Sequence, residues 1–264
     1  MNILAEIIAH KKTEIAAYNV PALRRLAESS PTPRDFLSAL QHGRIEHGPG
    51  LIAELKQASP SKGLMAPHLD LLQVADVYAE NGAAAISVLT DAKFFLGKID
   101  TLQNLRFRRR LALPLLRKDF IIHEAQIYET RASGADAILL IAAALTDGLL
   151  LKDFHALALE LGLTPLVEVH DQAETERVLK MKDVRLIGIN NRNLVTFEAS
   201  LKTTEQIRPL IPSEIAVVAE SGIFTSSDVD RLSNIPVDGI LVGEALVTAP
   251  DIAAKVRELA GVQP

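Results

Sequence analysis

The sequence predicts an α/β fold: a closed (β/α)8 barrel of parallel strands with a helical extension before it. Three observations carry this reading. Eight short apolar runs recur at 51–56, 84–89, 114–118, 137–141, 164–169, 186–190, 215–219 and 238–242. They are rich in Ile, Val and Leu and hardly alternate with polar residues, as strands buried on both faces do. Helical patterns fill the gaps, so strand and helix alternate in steps of roughly 20–35 residues. The length, 264 residues, matches the roughly 250 of one TIM barrel. An open doubly wound sheet is the rival. It seldom has eight such regular units, and no G-x-G-x-x-G follows the first strand.

Taken in order, residues 1–47 read as the extension and 48–264 as the barrel, a single domain overall. Ile3, Leu4, Ile7, Ile8 and Ile15 have helical spacing, and Pro21 and Pro31-Thr32-Pro33 punctuate the segment. It reads as a helical cap over one barrel end, or else as a partner-binding segment. Between the strands, Leu69, Leu72, Val74, Val77 and Tyr78 mark one amphipathic helix. Ala125, Ile127, Tyr128 and Arg131 mark a second, and Phe154, Leu157, Ala158 and Leu161 a third. Gly82, Gly134 and Gly162 stand where helices should end, since glycine relieves the left-handed conformation of a C-terminal cap.

Composition excludes several classes. Net charge is −5, whereas nucleic-acid binders are usually basic. The chain has no cysteine, hence no disulfide, thiolate catalysis or thiolate-bound metal. The opening MNILAEIIAHKK places its charge after a short apolar stretch, the reverse of a secretory signal. No run approaches the ~18 apolar residues of a membrane span. The expectation is a cytoplasmic protein, without nucleic-acid or membrane partners, working as a monomer.

The chemistry stands at the strand ends. Parallel strands bring those ends to one rim, where barrel enzymes keep their active sites. Glu54 and Lys56, two apart on a strand, face the same way. An outward pair would be buried under helices, so both should point inward, as a catalytic or binding pair or as a structural salt bridge. Lys118 ends its strand among cations, an environment that lowers a lysine pKa; a pair with Asp119 is the alternative. Glu168 is a candidate base, or a partner of a barrel lysine. Asn190 heads Asn190-Asn191-Arg192-Asn193, which could bond substrate hydroxyls and a carboxylate or simply form a polar turn. Gly222 after Glu220-Ser221 and Gly243 after Val242 end the last two strands, where loops commonly cradle phosphate. Ser59-Pro60-Ser61-Lys62-Gly63 adds hydroxyls and a cation. Arg106 to Arg110 reads as a solvated helix end. His170 reads as a structural residue pointing away from Glu168. No histidine has metal-ligand spacing, so no metal is expected.

Together these segments resemble the indole-3-glycerol phosphate synthase family. The resemblance rests on Ile52-Ala53-Glu54-Leu55-Lys56 with Ser59-Pro60-Ser61-Lys62-Gly63, and on Ser87-Val88-Leu89-Thr90-Asp91 with Phe94-Phe95. It continues through Arg117-Lys118-Asp119-Phe120, Leu166-Val167-Glu168-Val169-His170 and Gly188-Ile189-Asn190-Asn191-Arg192-Asn193-Leu194. Ala219-Glu220-Ser221-Gly222-Ile223 and Val242-Gly243-Glu244 complete it. The resemblance implies a cofactor-free lyase of tryptophan biosynthesis. Its substrate would be 1-(2-carboxyphenylamino)-1-deoxyribulose 5-phosphate, closed to an indole with loss of carbon dioxide and water. By the same resemblance, Lys118 is the acid of ring closure and Glu168 a base or relay for dehydration. Lys56 anchors negative groups and is a candidate second acid, and Glu54 orients it. Asn190 holds sugar hydroxyls, with Arg192 and Glu220 supporting the pocket. Ser221, Gly222, Gly243 and Glu244 surround the phosphate, and Phe95 walls the anthranilate ring. The chain departs from the family pattern at Ala245-Leu246-Val247, at Phe95-Leu96-Gly97-Lys98 and at His123-Glu124. The other readings are a phosphoribosyl isomerase type of barrel and a non-catalytic phosphosugar-binding protein.

Overall fold

A computed structural model describes residues 3–43 and 48–262. The expected boundary at residue 47 falls at 44–47, outside the described residues. Eight strands form the barrel: β1 Gly50–Leu55, β2 Ala85–Leu89, β3 Leu115–Lys118, β4 Ala137–Ile141, β5 Thr164–Val169, β6 Leu186–Asn190, β7 Ala216–Glu220 and β8 Gly239–Val242. Each pairs in parallel with its neighbours, and β8 closes on β1. A two-stranded hairpin, Ala58–Ser59 with Gly63–Leu64, follows β1.

The uniform apolarity of the strands hides a strict period of two. Leu116, Leu139, Leu166, Leu186 and Val218 pack in one cluster inside the barrel. Leu115, Ile138, Leu140, Val167, Ile187 and Val217 belong to a second cluster, with the helix residues Val74, Ile127 and Phe154. Both faces are apolar because both are buried, so polarity cannot report the alternation. Glycine caps the helices as expected: Gly82, Gly134 and Gly162 all have positive φ.

The extension departs from a cap over one end. It forms α1 (Ile3–Ile15), α2 (Val20–Ser29) and α3 (Phe36–His42), which take three different places. On α3, Phe36 and Leu40 join the inner cluster and plug the barrel's N-terminal end. There Gly50 and Gly239 lack side chains where Leu40 enters; a Cβ at Gly239 would lie 2.7 Å from Leu40 Cδ1. Along the barrel's flank α2 packs on the helix Glu124–Ala132. At the opposite end, α1 drops the buried Lys11 between Asp91 and Asp119, at 3.0 and 2.9 Å. Amphipathic helices joined by prolines can wrap as well as cap, and the complementary partners here lie at both ends.

The arginine run is also not simply solvated. Residues Asn104–Arg108 form a π-helical turn. From it Arg106 turns inward, 3.6 Å from Asp136, and donates to Thr32 O at 3.2 Å. Arg109 pairs with Asp76 at 3.1 Å, while Arg108 and Arg110 remain exposed.

Candidate active site

The C-terminal ends of the strands converge as the parallel topology requires. Inward positions Ile52, Leu166, Leu186 and Val218 lead, two residues at a time, to Glu54, Glu168, Gly188 and Glu220. At the centre stands Lys118. Its Nζ lies 3.2 Å from Glu168 Oε2 and 3.3 Å from Glu220 Oε2. Gly188 makes this cluster possible: β6 runs between β5 and β7, and a Cβ there would collide with the Glu220 carboxylate. Beside the cluster, Lys56 Nζ is 2.9 Å from Glu54 Oε1. The salt bridge foreseen as one reading is therefore present, and it lies inside the pocket.

Two expectations for Lys118 are corrected. Its pKa is raised, not lowered. Burial alone would depress it, but Glu168, Glu220 and Glu54 more than offset that and keep the ammonium charged. Its sequence neighbour Asp119 is not its partner. Asp119 and Arg117 face the other way, because successive strand residues alternate sides. Asp119 accepts from Thr90 Oγ1 at 2.6 Å and from Arg117 at 3.1 Å, and meets Lys11. The cations near Lys118 in sequence are thus on the wrong side of the strand to repel it.

The two carboxylates differ. For Glu168, burial would raise the pKa, but Lys118, His170 and Asn190 hold it well below the usual range. Burial, with Glu168 close by, pushes Glu220 up to about 8 despite Lys118. The two carboxyl groups beside the Lys118 ammonium are thus unlike: Glu168 is held towards its ionised form and Glu220 towards its protonated one. His170 is the third correction. It lies two residues beyond Glu168 and so faces the same way, with Nε2 3.2 Å from Glu168 Oε1.

The run after β6 divides its work. Asn190 and Arg192 line the pocket. Asn191 instead bonds the backbone of Glu220, Ser221 and Thr204, and Asn193 caps a turn at Val195 and Thr196. Arg192 donates to Phe197 O at 2.8 Å and lies 3.6 Å from Glu244.

On the same rim, just past β7, Ser221 and Gly222 both take left-handed φ, +67° and +77°. Among the described residues, no acceptor takes a hydrogen bond from the backbone N–H of Ser221, Gly222, Gly243 or Glu244. Unpaired N–H groups at adjacent strand ends suit an anion. The Glu244 carboxylate does not. It pairs with Lys62 at 3.3 Å and with Arg192, so only its backbone can face a phosphate. Ser59 also lines the pocket and accepts from Lys62 N at 3.3 Å.

The remaining wall is apolar. Phe95 and Phe120 lie ring to ring at 6.0 Å, with Leu89, Ile141 and the α1 residues Leu4 and Ile7 around them. The sequence reading assigns no role to Phe120, Leu4 or Ile7. Phe120 was accessible to the same parity argument, being two residues past Lys118. Leu4 and Ile7 carry no such signal, since their helix reaches the pocket only through tertiary packing. Among the described residues, no group of acidic or histidine side chains could hold a metal ion. No described helix is long and apolar enough to cross a membrane.

An ammonium flanked by carboxyl groups, with unpaired backbone N–H groups and two phenylalanine rings nearby at a barrel's C-terminal rim, is an arrangement suited to an enzyme of acid–base chemistry. The sequence model described as "Indole-3-glycerol phosphate synthase" matches residues 4–259. Proteins of that name from Roseiflexus castenholzii and Polaromonas naphthalenivorans are 50% and 49% identical; each match covers 98% of this chain and 98% and 99% of the relative. The chain belongs to the indole-3-glycerol phosphate synthase family. Solved structures at low identity share the fold alone. One is 3-hexulose-6-phosphate synthase from Salmonella typhimurium, with TM-score 0.64 and 16% identity over 81% of this chain and 97% of that one.

Proposed function

We propose that the rim residues of this chain divide the work of indole-3-glycerol phosphate synthesis among an acid, a base and an anion cradle. The substrate is 1-(2-carboxyphenylamino)-1-deoxyribulose 5-phosphate. Its aryl ring attacks the ketone carbon, carbon dioxide leaves, and water is then lost to give the indole. The observation that carries the assignment is the Lys118 ammonium held between Glu168 and Glu220.

Ring closure interrupts aromaticity and places negative charge on the former ketone oxygen. A charged Lys118 donates the proton that neutralises it. Lys56, turned inward with Glu54, meets the substrate carboxylate until carbon dioxide departs. Dehydration needs a proton taken from the new five-membered ring while hydroxide leaves protonated. Glu168, the ionised carboxylate, is the base, and Lys56 is the second acid. Glu220, whose pKa burial raises, steadies Lys118 and is the less available base of the two. Asn190 bonds the sugar hydroxyls, and Arg192 supports that wall. Ser221, Gly222, Gly243 and the backbone of Glu244 take the phosphate, with Ser59 at the pocket's edge. Phe95 and Phe120 enclose the anthranilate ring. All these groups come from one chain, so a monomer working in the cytoplasm suffices and no cofactor enters the scheme.

Mixing the protein with this substrate should produce indole fluorescence with release of carbon dioxide. The chain has no tryptophan, so its own background is low. A folded protein that binds the substrate and leaves it unchanged would contradict the reading.

A further inference from the structure

The Glu168 carboxylate has a cation on each oxygen, and the scheme above uses only one of them. Lys118 takes Oε2 at 3.2 Å. His170 Nε2 lies 3.2 Å from Oε1, a charge contact out of line for an ideal hydrogen bond. The imidazole is itself held from behind. Its Nδ1 is 3.1 Å from Glu174 Oε2, and the same oxygen accepts from His170 N at 2.8 Å. Glu174 stands in the first turn of the helix Gln172–Val178, and its N–H is capped by Asp171 Oδ1 at 2.8 Å. Strand end, imidazole and helix start thus form one braced unit behind the catalytic carboxylate. Side-chain exposure falls inward along it, from 17% at Glu174 to 12% at His170 and 3% at Glu168.

We infer that His170 is a positioning residue for the dehydration base: its imidazolium fixes Glu168 Oε1 and keeps that carboxylate ionised when the substrate is bound. This rests on the proposed role of Glu168. The titratable groups facing the imidazole are Glu168 on its own strand and Glu174 on the following helix. Through Glu168 it also meets Lys118 from β3 and Glu220 from β7. Burial would lower the His170 pKa, but the two flanking carboxylates outweigh it and push it up to about 10. The ring therefore stays charged through neutral pH. Lys118 is spent as an acid in ring closure, and His170 is then the cation still in place on Glu168. A histidine that merely tied β5 to the next helix would need only Glu174.

The test is a steady-state and pH-profile comparison of the intact parent enzyme with His170→Asn and Glu174→Gln. Loss of the imidazolium should lower kcat about 10- to 100-fold, since misplacing a reacting group by about 1 Å can cost about 100-fold, with KM little changed. The acid limb of the kcat profile should move to higher pH, because Glu168 loses a cation that depressed its pKa. Glu174→Gln should do the same more weakly, by weakening the charge on the ring. A folded His170→Asn enzyme with the parent's kcat and acid limb would overturn the inference. So would a lower kcat with an unmoved acid limb, which is the result a purely structural residue gives. If His170→Asn does not fold, imidazole nitrogen NMR of the parent decides: a ring that stays protonated beyond neutral pH supports the inference, and one that titrates below pH 7 overturns it. Glu168→Gln separates the two levels. If it is inactive while His170→Asn is parent-like, only this inference fails. If it is active, the role of Glu168 fails first.

Discussion

At the scale of residues, the site works by giving similar groups different protonation states. Glu168 and Glu220 both contact Lys118, yet burial raises one while neighbouring cations and Asn190 lower the other. The raised group has a consequence for stability. The folded state holds a proton on Glu220 that the unfolded chain releases once the pH passes the ordinary value of 4.5. Stability therefore falls as pH rises from there towards about 8. Glu220→Gln removes that dependence, so urea midpoints of parent and variant should diverge over this window, the parent losing ground as pH rises. A constant gap would show that Glu220 is ionised throughout. Individual site residues were legible where parity alone decides. Glu54, Lys56, Lys118 and Glu168 lie inward as their strand positions require. The same parity applies to His170 and Phe120, and consistent use would have brought them in. What parity cannot supply is partners: Lys118 meets carboxylates from β5 and β7, a pairing set by barrel closure and register.

At the scale of elements, every barrel strand lies within a residue or so of its apolar run, and β4, β5 and β6 match at both ends. Buried parallel strands are short, continuous and bounded by glycine-capped helices, so they announce themselves. The departures His123-Glu124 and Ala245-Leu246-Val247 are absorbed locally. His123 Nδ1 caps its helix by accepting from Ala125 N at 3.1 Å, and residues 245–247 are buried in a short helix. The placement of α1 was not legible, because it depends on one buried lysine reaching acids far along the chain. Lys11, 3% exposed, is the sole cation of the described residues contacting Asp91, and shares Asp119 with Arg117. Breaking a buried pair by removing one partner costs about 3–5 kcal/mol. Lys11→Met should lower the unfolding free energy by about that amount, measured by chemical denaturation. It should also raise KM, since α1 carries Leu4 and Ile7 to the pocket wall. Unchanged stability would show that α1 docks without the lysine.

At the scale of the whole molecule, the barrel separates stability from chemistry along its axis. The C-terminal rim gathers charges, unpaired N–H groups and aromatic surface. The N-terminal end is closed by apolar packing, with Leu40 fully buried against Gly50 and Gly239. Truncating a buried leucine costs about 2–5 kcal/mol. Leu40→Ala should therefore lower the melting temperature markedly and leave kcat near that of the parent at temperatures where both are folded. A matching loss of kcat would mean that the two ends are coupled. The fold class was legible because length, strand count and regular alternation all bound it. The wrapping of the extension over both ends and a flank was not, since helical periodicity gives a face and not its destination.

The central claim is that Lys118 delivers the proton of ring closure and Glu168 takes the proton of dehydration. It is tested most directly by single-turnover reactions of Lys118→Ala and Glu168→Gln, following carbon dioxide and indole together. Lys118→Ala should release neither. Glu168→Gln should release carbon dioxide while indole formation stalls, because decarboxylation precedes the step its carboxylate serves. Carbon dioxide released at the parent's rate by Lys118→Ala, or withheld by Glu168→Gln, would contradict the account.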